Sequence, residues 1–398
     1  MPMSGVVRRV APLVRPPAAQ LFRAALALPT PALVYDLDGL RRSVATLVED
    51  VGGIGALNLA VKACHTPSVL AELAALGLGA DVASIGEYRL ARAAGFDRIT
   101  ATGPSFTTAD AVELRAGGVV LDASSVEQLE RLCRSFPGSP VGVRLRVPLP
   151  DDIEREASTF GRVSRFGVEA TDPRWHAVLA RWGCPLVRLH MHTGQMTPEH
   201  LLHKTRYALA VAEAFPTVDT LDLGGGFFSL YASRGRALAG LRTVGREVEA
   251  WRARTGRPMA LQFEPGGGIL GPHGFLFVSV LSVERDHPAF GADVVTVDAS
   301  AWNLAPWHRP EVLLADPDVA GVAERRTLVA GNTLYENDFF GTDVRGAVTA
   351  FDLPTCAAGD RLVLTAAGAY TMTNSRRFNR IDPPVEHAWS AGSLRSLA

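Results

Sequence analysis

The strongest constraint in this chain is an alternation of two kinds of segment. Eight short apolar or β-branched runs occur at Leu57–Lys62, Leu78–Ser84, Arg98–Pro104, Val119–Ser124, Val141–Val147, Pro185–Thr193, Thr220–Phe227 and Met259–Gly267. Between them lie stretches with helical spacing: Ser68–Leu76, Gly86–Ala94, Thr108–Ala116, Val126–Ser135, Pro173–Trp182, Pro198–Ala214 and Leu238–Arg254. Some of these open on capping residues, with Ser125 before Val126 and Thr197 before Pro198 at a first helical position. Strands that alternate with helices call for a parallel sheet, because parallel neighbours need a crossover rather than a hairpin. Eight such strands within roughly 250 residues call for a (β/α)8 TIM barrel. A doubly wound open sheet would need phosphate-type glycines after an early strand, and none stand there.

From about Pro272 the helical periodicity fades. Phe275–Val283, Val294–Asp298, Thr327–Ala330, Gly346–Phe351 and Arg361–Thr365 read as strands between Gly, Pro and Asp turns. The fold expected is therefore α/β, a TIM barrel with a second, mostly β C-terminal domain. Its parts are an N-terminal segment 1–32 joining the β domain, a barrel over 33–271 and the β domain over 272–398. Pro148–Ser164 reads as a polar excursion after the fifth strand, of the kind that carries function or moves. Forty Lys plus Arg against 41 Asp plus Glu give a net charge of -1, which argues against a nucleic-acid surface. No apolar run approaches the ~18 residues of a membrane span, and Arg23 breaks the Ala/Leu-rich stretch before Pro29. Cys64, Cys133, Cys184 and Cys356 fit neither zinc spacing nor a disulfide framework, so reduced thiols in a soluble, cytoplasmic protein are expected.

In a TIM barrel the chemistry lies at the C-terminal strand ends. Lys62 ends the first strand, and Asp81 to Ser84, with Glu87 beyond, the second. His190 to Gly194 ends the sixth, Gly224–Gly226 the seventh, and Glu264 to Gly268 the eighth. Each has an ordinary reading alone: a snorkelling lysine, a core and a surface histidine, a tight turn, a polar loop start. Their convergence on one rim leaves three chemistries. A metal hydrolase would use His190 and His192 with Glu264, and gives the glycine run no task. A Schiff-base aldolase would use Lys62 as nucleophile, and leaves Glu264 optional. Pyridoxal phosphate uses every part. Lys62 would hold the cofactor covalently, and Glu264 would face the pyridine nitrogen. The amides of Gly224, Gly225, Gly226, Gly266 and Gly267 would take the phosphate. Economy favours the third, and no metal is expected.

The same segments resemble, in order, the motifs of the fold-type III pyridoxal-phosphate decarboxylases. That group contains diaminopimelate, ornithine and biosynthetic arginine decarboxylases and has an alanine racemase-like barrel. The resemblance runs from about Leu33 to Pro384. It is carried by Ala60–Ala63, Asp81–Glu87, His190–Gly194, Leu223–Phe227, Glu264–Gly266, and Gly368–Tyr370 followed by Phe378 and Asn379. It implies that His192 stacks on the cofactor ring, that Tyr370 touches the phosphate, and that Lys62, His192 and Tyr370 are the catalytic residues. It also implies a homodimer with shared active sites, one subunit's C-terminal domain completing its partner's pocket. Four positions depart from the family pattern. Leu334, in Gly331–Asp338, replaces the cysteine that helps return a proton. Gly267 replaces an arginine, Gln195 a serine, and Ala305-Pro306 stands for an Arg-Pro pair. The implied activity is α-decarboxylation of an amino acid or amino-acid-like intermediate, free or carrier-bound, with Tyr335, Glu336 and Asp338 facing the substrate. The proton would come from Tyr335, Glu336, His65, Lys62 or water. A racemase or epimerase on the same cofactor is the alternative, followed by a non-catalytic cofactor carrier.

Overall fold

The computed structural model describes residues 16–151, 153, 161, 164–305, 310–315, 323–342 and 347–397. Most of the Pro148–Ser164 excursion, and Pro306 and Gly346, lie outside the described residues. The chain begins with α1 (Ala19–Ala25), β1 (Ala32–Asp36) and α2 (Leu37–Val51). A closed barrel of eight parallel strands follows: β2 (Ala56–Ala60), β3 (Gly79–Val82), β4 (Ile99–Thr102), β5 (Leu121–Ala123), β6 (Val141–Arg144), β7 (Leu186–His190), β8 (Thr220–Asp222) and β9 (Ala260–Phe263). Every run named above holds one of these strands, but each strand stops short of its run. Lys62, for instance, lies in the 3₁₀ turn Val61–Ala63, one step past β2.

The helices begin where side chains can satisfy their first amides. Ser84 caps α4 (Ile85–Ala94) by accepting from Glu87 N–H, after α3 (Pro67–Ala75). Reciprocal Thr107–Asp110 bonds close α5 (Thr108–Ala116), and Ser125 accepts from Gln128 N–H at α6 (Val126–Ser135). Asp172 and Thr197 cap α7 (Pro173–Trp182) and α8 (Pro198–Glu213), each with proline in the first turn, which lacks the N–H a helix start cannot use. The short α9 (Phe227–Leu230) and the long α10 (Arg234–Thr255) follow β8.

The barrel interior is polar where branched apolar layers are usual. Asn58, Asp81, Thr100, Asp122, Arg188, His190, Asp222 and Glu264 are all buried. Neighbouring strands set several of them level: Ala60 with Asp81, Asp81 with Thr100, Asp122 with Gly142, and His190 with Asp222. Arg188 Nε meets both oxygens of Asp122 at 2.9 and 3.0 Å, and Thr102 donates to the same carboxylate at 2.9 Å. A Cβ on Gly142 would lie 1.6 Å from Asp122 Oδ1, so the ion pair occupies the space of the missing side chain.

The chain separates into two compact units, residues 44–268 and the remainder. In the second unit, after α11 (Gly267–Leu270), the spine is β10 (Gly274–His287). Around it are β11 (Ala292–Val297), β12 (Val312–Leu314), β13 (Glu324–Ala330), β14 (Phe351–Pro354), β15 (Arg361–Leu364), β16 (Val385–Ser390) and β17 (Ser393–Ser396), in a nine-stranded sheet. The boundary at residue 33 needs correction, because β1 pairs antiparallel with β10 and parallel with β16. Residues 33–43 therefore belong to this unit and not to the barrel. The physical reason is long-range pairing, which local periodicity does not encode. Leu21, Phe22 and Ala25 of α1 pack with Phe275, Phe277, Val363 and Trp389 on the same sheet.

The start of β10 is fixed by a close approach. A Cβ on Gly368 would lie 2.0 Å from Leu270 O, and one on Gly274 would lie 2.1 Å from the Gly368 Cα. Both obstacles are backbone, which cannot rotate away. Gly368→Ala should lower unfolding free energy by roughly 2–4 kcal/mol, read as a shift in the urea midpoint. An unchanged midpoint would contradict this packing.

Candidate active site

His190 ends β7, and Glu264 stands one residue past β9. His190 Nε2 and Glu264 Oε2 are 3.0 Å apart, with both side chains almost wholly out of solvent. Burial drives the His190 pKa down to about 3, so the ring is neutral and its Nε2–H donates to the carboxylate. Among the described residues, Glu264 Oε1 and His190 Nδ1 are buried with no fixed donor on them, and the neighbour within hydrogen-bonding reach of the Glu264 carboxylate is the Asp81 carboxyl. A buried carboxylate oxygen with no donor is destabilising unless something supplies one. Asp222, the last residue of β8, accepts from Gly224 N–H at 2.9 Å. Burial, and then the charge of Glu264, push its pKa up to about 7. Asp81, at the end of β3, is raised well above the usual carboxylate range, first by burial and then by Glu264, with the Lys62 ammonium opposing.

One atom from each of His190, Asp222 and Glu264 falls within 4.8 Å of the others, a grouping that could hold a metal ion. That trio omits His192, so the His190–His192 ligand pair considered from sequence does not form it. His192 instead receives the Gly225 N–H on Nδ1 at 3.2 Å. Burial, and then the Lys62 charge, hold its pKa well below the usual imidazole value. Nδ1 is therefore an acceptor, and the neutral ring carries its proton on Nε2.

The glycine run is needed where it stands. Side chains at Gly224 and Gly226, with φ of 65° and 101°, would be strained and would meet Met191 O at 2.6 Å and Gly194 O at 2.4 Å. The amide cradle expected of all three glycines is narrower in the structure. Gly224 N–H is committed to Asp222 and Gly225 N–H to His192, which leaves Gly226 at the entrance of α9. Gln195 holds the next turn, its Oε1 accepting from Ser229 N–H at 3.1 Å. Gly266 is buried, and Gly267 opens α11.

The barrel thus brings Lys62, His192, Gly224–Gly226, Glu264, Gly266 and Gly267 to one rim. Lys62 is exposed to solvent, yet its charge acts on Asp81, His190 and His192. Nearby, His65 Nε2 lies 3.2 Å from Glu87 Oε1, while Glu87 Oε2 accepts from Ala83 N–H at 2.7 Å. Sequence reasoning passed over Arg144 and Lys204. Arg144 donates to His192 O at 3.4 Å, with its guanidinium 4.9 Å from the Phe166 ring centroid. Lys204 is fully buried on α8. The available signals were an arginine closing a strand and a lysine on the apolar face of a helix.

The remaining candidates lie on the second unit. Tyr370, at φ 62°, precedes α12 (Thr371–Asn374). Tyr335 stacks on Trp302 with centroids 5.0 Å apart, and Glu336 is exposed. Leu334 is 90% exposed, its N–H bonded to Asn379 Oδ1. Asp338, expected to face a substrate amine, is buried and engaged with its own loop and with the turn at Ser300–Ala301. Oδ1 accepts from Ser300 Oγ and Ala301 N–H at 3.0 and 2.7 Å, and Oδ2 from Thr333 N–H and Oγ1 at 3.2 and 2.5 Å.

Residues 38–269 match the family model described as the pyridoxal-binding domain of pyridoxal-dependent decarboxylases. The diaminopimelate decarboxylase of Escherichia coli is 28% identical over 383 residues, covering 91% of this chain and 89% of that protein. That of Pseudomonas aeruginosa is 29% identical over 394 residues, with coverages of 91% and 89%. Among solved structures, a diaminopimelate decarboxylase superposes with a TM-score of 0.80 at 26% identity, covering 95% of this chain and 92% of that one. A lysine decarboxylase from Selenomonas ruminantium shares the fold, with a TM-score of 0.75 at 19% identity and coverages of 95% and 98%. With more than half the chain inside the family's cofactor-binding domain and relatives aligned nearly end to end, this chain belongs to the pyridoxal-dependent decarboxylases and is a pyridoxal-phosphate carboxy-lyase.

Proposed function

We propose that this protein removes the α-carboxylate of an amino acid or amino-acid-like biosynthetic intermediate at the barrel rim, on pyridoxal phosphate held by Lys62. The observation that carries this reading is Glu264, buried with Oε2 fastened by neutral His190 and with no fixed donor on Oε1. A protonated pyridine nitrogen is the kind of donor that would complete Oε1, and the glycine turn leaves room for an ester phosphate. The residues present fit the cofactor. When bound, it supplies an electron sink for the pair left behind as CO2 departs.

The chain's own groups do the rest. Lys62 supplies the amine that anchors the cofactor and carries a proton at Nζ. His190 keeps Glu264 in place without adding charge. His192, oriented by the Gly225 amide, covers one ring face and keeps water from it, and Tyr370 contacts the phosphate. Leu334 has no proton to give, so proton return falls to another group, of which Tyr335, Glu336, His65 and Lys62 are the candidates with exchangeable protons. The substrate is free or carrier-borne. Exposed Leu334, Tyr335 and Phe378 form an apolar patch suited to a subunit interface, which favours a homodimer with Tyr335 and Glu336 turned toward the partner's site. All four cysteines are buried and none forms a disulfide with another, in keeping with a reducing, cytoplasmic setting. Among the described residues no helix is long and apolar enough to cross a membrane.

Purified protein should be yellow, borohydride should fix the cofactor on Lys62, and carboxyl-labelled amino acids should release labelled CO2. Colourless protein that takes up no added cofactor, or exchange at Cα without CO2, would overturn the reading. Leu334→Ala should leave turnover within about 3-fold, since a true proton donor contributes ~100-fold or more; a much larger loss would mean that position 334 acts in the reaction. The His190 pKa lies below its ordinary value, so its stabilising contribution is whole above about 6.5 and is lost as pH falls toward about 3. Histidine NMR spectra of the cofactor-free protein should show no His190 titration between about pH 5 and 8. A midpoint inside that window would mean the ring is not buried as described.

A further inference from the structure

Lys204 is a buried cation of this rim with no part in the chemistry above. Its side chain is wholly out of solvent. Nζ donates to Leu223 O at 2.6 Å and lies 3.5 Å from Met196 Sδ, both neutral acceptors. Leu223 opens the glycine turn, and Met196 N–H is bonded to Gly226 O at its far end. The ammonium is therefore bracketed by the two ends of the turn. Among the described residues it forms no ion pair with a carboxylate. Asp222 and Glu264 act on it only as more distant charges, while burial lowers its pKa to about 8.

A cation buried without a paired anion is destabilising, and the fold would be better served by a methionine unless an anion arrives. The surface of the turn offers no cationic side chain of its own at two adjoining places. Position 267 is glycine, and position 195 is a neutral glutamine already bonded to Ser229 N–H. Two of the three glycine amides are also committed within the fold. A phosphate dianion resting on this turn would thus meet few free amides and no cationic side chain from positions 195 or 267.

We propose that Lys204 is a positioning residue whose buried ammonium, beneath the Leu223–Gly226 turn, serves as the counter-charge for the phosphate of pyridoxal phosphate. It acts through the backbone. The ammonium holds the Leu223 carbonyl inward, so the turn presents its amide side to the anion, and its field favours a dianion there. This rests on the cofactor reading, so the test must separate the two.

Cofactor-free full-length protein would be titrated with pyridoxal phosphate and with pyridoxal, which lacks the phosphate, alongside the Lys204→Met and Lys204→Gln variants. Glutamine can still donate to the Leu223 carbonyl but carries no charge. The preference for pyridoxal phosphate over pyridoxal should fall about 10- to 100-fold in both variants, with pyridoxal affinity little changed. Inorganic phosphate should raise the Tm of the cofactor-free wild type and leave the variants unmoved. A variant that keeps the full preference overturns the proposal, as does an equal loss for both ligands, the mark of a merely structural lysine. Should neither variant fold, the absence of a phosphate-induced Tm shift in the wild type overturns it. Wild type that binds neither aldehyde overturns the cofactor reading itself, a result distinct from every other outcome.

Discussion

The hydrogen bond between His190 and Glu264 is the constraint on which the rest of the barrel depends. A carboxylate taken out of water must be held by donors or must give up its charge. Here one oxygen is held by an imidazole that burial keeps neutral, and the other has no fixed donor. Burial first, and then the Glu264 charge, push Asp222 and Asp81 toward the protonated form. Deeper in the barrel, Asp122 is compensated by Arg188 and Thr102. The interior thus gives up part of the apolar filling a barrel normally has, in exchange for one oriented acceptor. Its glycines follow from the same requirement, since Gly142 makes room for Asp122 and Gly225 lets its amide reach His192.

What the sequence revealed of this arrangement depended on how local each signal was. The α5, α6 and α7 boundaries fall where the periodicity put them, because Thr107, Ser125 and Asp172 announce the helix starts within three residues. The eight barrel strands were legible as runs, although their ends blurred into the functional loops. β1 was not legible, because what makes Ala32–Asp36 part of the second sheet is pairing with β10 and β16, hundreds of residues away in sequence. α2 was missed as well, and so were the short strands β12, β16 and β17.

The site divides along the same line. Lys62, His192 and Glu264 could be found because a strand end in a barrel is a known address for chemistry. The work done by Arg144, Asp222 and Lys204 depends on partners supplied by other strands and loops. An arginine closing a strand or a lysine in an apolar helix face is, in sequence, indistinguishable from a solvated charge. Even the glycine turn was only half legible. Its need for bare backbone is local, whereas the commitment of two of its amides to Asp222 and His192 is not.

These two kinds of support have different consequences for change. The groups proposed to face the cofactor stand at the ends of strands, where the ladder of the barrel fixes each position several times over. Leu334 and its neighbours are held differently, by the Asp338 carboxylate at the loop's base, the Asn379 side chain on the Leu334 amide and the Trp302 ring against Tyr335. Asp338 gathers Ser300, Ala301 and Thr333 around itself and leaves residues 334–337 exposed. The Leu334 side chain can be exchanged without disturbing these bonds, because position 334 is fixed through its backbone N–H and not through its side chain. A leucine can therefore occupy the tip, where a proton donor would be looked for, while lysine, histidine, glutamate and glycine stay in order on the barrel rim.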